Sequence, residues 1–122
     1  MMEYKLSEEI NQAVQRLGTL LRQNETVQAY LRARQMVEQD QAVRDLENQL
    51  YTMYESMLQR QQAGENLTKE EINAFNELRQ QVFTNPLISE REARLTPLKA
   101  LFAEVAVEIS TPLGVDYTIL AQ

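Results

Sequence analysis

Three pairs of carboxylates are the side chains whose spacing most invites a chemical reading: Glu70 with Glu71, Glu90 with Glu92, and Glu104 with Glu108. Only the last pair stands at i, i+4, where two side chains share one helix face and could contact one cation. A di-metal carboxylate bundle needs Glu-x-x-His motifs as well, and the chain has no His. Nucleophilic attack by Ser or Thr lacks a His base for the same reason, and the interior lysines Lys69 and Lys99 mark out no Ser–Lys pair. No Gly-rich phosphate loop is present. With no Cys, disulfides, thiolate zinc sites and thiolate-held iron–sulfur clusters are excluded in this chain. The acidic pairs read as solvated helix surface, Glu70 and Glu71 also as capping groups. The expectation is a protein that is not an enzyme, with no catalytic residue, metal or cofactor.

Tyr51, Met53, Tyr54 and Met57 form a second group. Met and Tyr are adaptable linings, so these four could wall an apolar cavity for a small molecule or a haem. At helical spacing the same residues serve as core or subunit interface. Arg91 is the odd member of an apolar row on a later helix. Either its aliphatic stem lies along the core with the charge reaching solvent, or it pairs with a carboxylate at an interface.

These residues sit on helices. Val43, Leu46, Leu50, Met53 and Met57 alternate at three and four, as do Ile88, Leu95, Leu98, Phe102, Val105 and Ile109 with Arg91 in the row. Such a stripe winds down one side of an α-helix and asks for another helix to pack on it. Ser7, with Glu8 and Glu9 in the first turn, opens a helix whose apolar face is Ile10, Ala13, Val14, Leu17, Leu20 and Leu21. Asn24 and Asp40 cap the next two. The third runs to about Ala63, where Gly64 can take the left-handed conformation that ends helices. Thr68 and Glu71 predict a capping box, with Leu67 and Ile72 as the hydrophobic staple. So short a turn makes the flanking helices an antiparallel hairpin. Ile72, Phe75, Leu78 and Val82 form the expected buried face of the fourth helix. Asn85-Pro86 starts the fifth. Pro97 should kink or break it, and the unbroken apolar phase favours a kinked continuous helix. Thr111-Pro112 is expected to end it.

The expected architecture is an all-α antiparallel bundle of about five helices with a long central αα-hairpin. It forms one domain over residues 1–122, with tails at 1–6 and 111–122. The net charge of −6 and scattered Lys and Arg oppose direct nucleic-acid binding and anionic membranes. No apolar run approaches the roughly 20 residues of a spanning helix. The first residues lack the pattern of a signal peptide. A cytoplasmic location follows as the simplest expectation.

Read in order, Tyr30 with Ala33, Asp40, the turn from Gly64 to Glu71, the start Asn85-Pro86-Leu87-Ile88 and the ending from Ile109 to Tyr117 resemble the YlbF/YmcA-like family. It comprises small helical bacterial proteins, YheA-type members among them. The resemblance spans Leu17 to Tyr117. It implies an all-α fold that associates into dimers or larger assemblies, with no catalytic residues to carry over. Its better-known members regulate competence, sporulation and biofilm formation, and some join complexes that adjust RNA processing by a membrane-attached endoribonuclease. Some carry C-terminal cysteines implicated in iron–sulfur binding, and this sequence departs from them there.

The resulting expectation is a cytoplasmic regulator or adaptor acting through protein–protein contacts. Its partners would be itself, as a dimer or higher homo-oligomer, and other family members or an RNA-processing complex. The expected interface residues are Leu46, Leu50, Met53, Tyr54 and Met57, with Leu98, Phe102, Val105 and Ile109 facing them or closing the core, and Arg91 in the row. A helical ligand-binding bundle with a Tyr/Met-lined cavity is the alternative.

Overall fold

The computed structural model describes residues 5–122, and the described chain is all-α. Its helices are α1 (Glu8–Gln23), α2 (Glu25–Glu38), α3 (Gln41–Gln62), α4 (Lys69–Thr84), α5 (Pro86–Leu113) and the one-turn α6 (Tyr117–Leu120). The expected helix starts hold. Ser7, Asp40 and Thr68 each accept a hydrogen bond from a first-turn backbone N–H. Asn24 accepts one from Thr26 to start α2, and Asn85 accepts from Leu87 and Ile88 to start α5. Each such cap contributes about 1 kcal/mol.

The α3–α4 turn is built from two complementary devices. Gly64 takes φ +84°, which a residue with a Cβ adopts at a cost of about 1–2 kcal/mol. That conformation lets the Glu65 N–H reach the Arg60 carbonyl and the Gly64 N–H reach that of Gln61, satisfying carbonyls that the helix leaves free. Thr68 and Glu71 then close the capping box on the other side. Both devices are local, so the reversal of direction is written into the stretch from Arg60 to Glu71.

The chain groups into two compact units, Arg32–Thr96 and the residues up to Leu31 taken with Pro97–Gln122. In the Arg32–Thr96 unit, α3 packs along α4. Val37, Val43, Val82 and Ile88 form a small core there, one residue from each of four helices, with Leu46, Leu50 and Leu87 against it. Ile88 is fully enclosed. Of the α4 positions expected to be buried, Val82 is, Phe75 and Leu78 are half-buried, and Ile72 remains 43% exposed. Ile72 lies beside the turn, beyond the reach of the four-helix core.

The other unit contains α1, the C-terminal half of α5, and α6. None of its described residues is buried. Along α1, Ile10, Val14 and Leu20 are each more than half exposed, while Leu17 and Leu21 are half-covered.

Two sequence expectations need correction. Thr111-Pro112 does not end α5, which continues to Leu113 and stops where Gly114 turns to φ +85°. Pro112 sits in the last turn, where the carbonyl its ring deprives of a partner is one of few. The segment expected as a C-terminal tail also holds α6, capped by Asp116 through the Thr118 N–H, and the Tyr117 N–H donates to Ser110 Oγ at 2.8 Å. At the other end, residues 1–4 of the expected 1–6 tail lie outside the described residues, and Lys5 and Leu6 are non-helical. α5 passes through Pro97 without a second start, as its apolar phase predicts.

Candidate interaction surfaces

Two antiparallel helices leave a groove on each side of their seam, and the α3–α4 hairpin presents both. One, of about 820 Å³, has Met53, Met57, Ala74 and Leu78 on its floor and Arg60 with Glu71 at the turn end. The other, of about 630 Å³, is lined by Leu50, Tyr51, Tyr54, Phe75 and Phe83, with Arg79 and Arg91 among its charged groups. Residues 51 and 54 are three apart and 53 and 57 four apart, so each pair keeps to its own face of α3. The Tyr/Met quartet therefore does not wall one cavity. It is split between two open grooves.

At the turn end, Arg60 binds Glu65 at 3.0 Å and holds Glu71 with two guanidinium nitrogens. Glu71 also accepts from the Thr68 backbone and hydroxyl. Arg60 first, then the Thr68 donors, hold the Glu71 carboxyl below its ordinary pKa of 4.5 despite partial desolvation. A carboxylate whose folded pKa is lowered adds stability above the unfolded pKa and loses it as pH falls through the folded one. Glu71→Gln is thus expected to lower the urea midpoint at neutral pH and to flatten its decline on acidification below about pH 4.5. An unchanged acid limb would remove Glu71 from the turn's electrostatics.

Arg91 settles between its two sequence readings. Its side chain is 18% exposed, and it grips Glu47 of α3 bidentately, at 2.9 and 2.5 Å. A further bond of 3.0 Å reaches Glu92. The charge does not run out to solvent, and the partner acid lies in the same chain. Those bonds raise the guanidinium's pKa further, Glu47 being the principal cause. Two parallel charge-assisted bonds fix both distance and orientation, which ties α5 to α3 in one register.

The remaining expected interface residues divide by unit. Leu46 and Leu50 pack on the core, Met53 and Met57 lie in one groove, and Tyr54 faces the other. Leu98, Val105 and Ile109 are half-covered and Phe102 is 43% exposed, all in the second unit. There Leu17 of α1 meets Leu101, Val105 and Ile109 of α5 around an apolar groove of about 480 Å³, with Glu104 and Glu108 at its edge. Sequence reasoning did not single out Arg79 and Phe83. The signal was present: Phe75, Arg79 and Phe83 recur at i, i+4 and i+8, one row along α4.

Among the described residues no group of three Asp or Glu is gathered closely enough to hold a metal ion, and no helix is long and apolar enough to cross a membrane. What these surfaces can do is bind apolar side chains. A family model described as "Control of competence regulator ComK, YlbF/YmcA" matches residues 10–114, from the first turn of α1 to the glycine that ends α5. No curated protein and no solved structure matches the chain.

Proposed function

From the premise that this chain belongs to the YlbF/YmcA family of regulators, we propose that it regulates by protein–protein contact and self-associates in order to do so. One observation carries the reading. The unit holding α1 and the second half of α5 buries none of its described residues, although both helices carry apolar stripes. Isolated helices of such length are marginal in water, and most of their stability comes from packing an amphipathic face. A second copy supplying the same two helices would give each stripe a partner and close a four-helix bundle.

In this reading the chain is a non-enzymatic cytoplasmic adaptor. Leu98, Phe102, Val105 and Ile109 join the copies, and Met53, Tyr54 and Met57 remain for other partners, whether family members or an RNA-processing complex. Lacking the cysteines of some family members, it would enter such a complex as a protein contact and not as a cluster carrier. Light scattering on the purified chain at micromolar concentration tests the reading. A mass of two or more copies is expected, and a strictly monomeric mass would overturn self-association.

A further inference from the structure

We propose that the aromatic groove of the α3–α4 hairpin docks an amphipathic helix of a partner protein, and that this helix carries a carboxylate opposite Arg79. The inference rests on the reading of the chain as a contact regulator and adds where the contact is made and what it selects. Four aromatic rings line this groove. Tyr51, Tyr54 and Phe83 are 63%, 53% and 53% exposed, and Tyr54 stands against Phe75 with ring centroids 6.3 Å apart. A contiguous exposed patch of this kind, mixing Tyr, Phe and Arg, has the composition of an interface centre.

The occupant's chemistry follows from what the groove offers. Its walls are α3 and α4, with Arg91 and Glu92 of α5 at one side, and helices have their backbone groups already paired, so it has no row of donors or acceptors for an extended segment. A strand laid on the aromatic floor would leave its own backbone unsatisfied. A helix would not. The groove runs about two helical turns, from Glu47 to Tyr54 along α3, or about 11 Å. That length admits two or three anchoring side chains at i, i+3 or i+4, and i+7.

Charge narrows the choice further. Of the two guanidinium groups here, Arg91 is already taken by Glu47 and Glu92. Arg79 lies over the Phe83 ring at 5.8 Å and makes no ion pair among the described residues. A helix covering the groove would strip water from Arg79, and a desolvated charge left unpaired costs several kcal/mol. A carboxylate on the incoming helix removes that cost. The net charge of −6 and the acids around Arg91 argue against a nucleic-acid occupant.

The test uses the full chain and a fluorescein-labelled amphipathic peptide of about 20 residues, long enough to hold a helix. It carries leucines along one face and a Glu beside them, with Gln and Lys counterparts. Fluorescence anisotropy should show the Glu peptide binding at least about tenfold more tightly than the Lys peptide. Arg79→Glu should reverse that order, and Phe83→Ala should weaken both peptides. Failure of every peptide to bind, or an order unchanged in Arg79→Glu, would overturn the inference. A mass that falls to monomer in Arg79→Glu would overturn it too, because the occupant would then be a second copy. An oligomeric wild type with no charge preference defeats the groove alone, whereas a monomeric wild type that binds the Glu peptide selectively defeats self-association alone.

Discussion

Ile88→Ala is expected to lower the unfolding free energy by about 2–5 kcal/mol, a large effect for the truncation of one apolar side chain. Ile88 is fully enclosed, and its neighbours Val37, Val43 and Val82 come from α2, α3 and α4. Removing the side chain forfeits its transfer from water and leaves a cavity bordered by three helices. Those helices cannot close in freely. α3 and α4 are held by their turn, and α5 is held by the Arg91–Glu47 bonds and by its Asn85 cap. Alanine's better helix propensity returns at most about 0.7 kcal/mol, too little to change the sign. The core is small, so its loss is a large fraction of the 5–15 kcal/mol typical of a domain. Urea unfolding at fixed protein concentration is the measurement, with Ile88→Val as the graded control at about 0.5–1.5 kcal/mol. A loss below about 1 kcal/mol for Ile88→Ala would mean the four-helix core does not govern stability.

Val105→Glu, or Leu17→Glu on the facing helix, is expected to reduce the assembly to monomers while leaving the hairpin folded. Both residues border the apolar groove between α1 and α5 that the proposed four-helix bundle would close. A carboxylate placed there would be desolvated on assembly, beside Glu104 and Glu108 on the same rim. Like charges in a dry contact oppose both association and each other. Light scattering reads the mass, and circular dichroism reads the helix content. Gln15→Glu, on the polar face of α1, changes the net charge equally and should leave the mass unaltered. If it dissociates the copies as well, total charge and not the apolar stripe controls assembly. If neither stripe variant changes the mass, the α1–α5 groove is not where copies join.

The separation of stability from assembly follows from the uneven distribution of buried side chains. Every buried residue among those described falls within Arg32–Thr96. The remaining helices therefore owe their order to contacts outside that core. If copies join as proposed, thermal stability should rise with protein concentration, as it does wherever association consumes only the folded form.

How much of this was legible in the residues depends on the range of the interaction. Ser7, Asn24, Asp40, Thr68 and Asn85 cap helices through bonds spanning two or three residues, so residue type and order were enough to place them. Gly64 and the capping box set the hairpin for the same reason. The all-α class and the continuity of α5 through Pro97 followed from apolar period alone. The end of α5 was misplaced by three residues, the tail having been expected from 111, because Pro112 was taken as a stop, although a ring near a helix's last turn removes little.

What the sequence could not decide were matters of which helix lies beside which. Arg91 carried two readings because its partner Glu47 is 44 residues away, and no local spacing encodes that distance. Tyr51, Met53, Tyr54 and Met57 looked like one cluster along the chain and became two surfaces once α4 was laid against α3. Arg79 acquired meaning only when Phe83 and the α3 tyrosines stood around it. Short-range hydrogen bonds and periodicity specify each helix and its ends from the residues themselves. The choice among apolar faces is cooperative across the whole fold, and so the pairing of charges and the identity of each exposed surface were fixed only by tertiary packing.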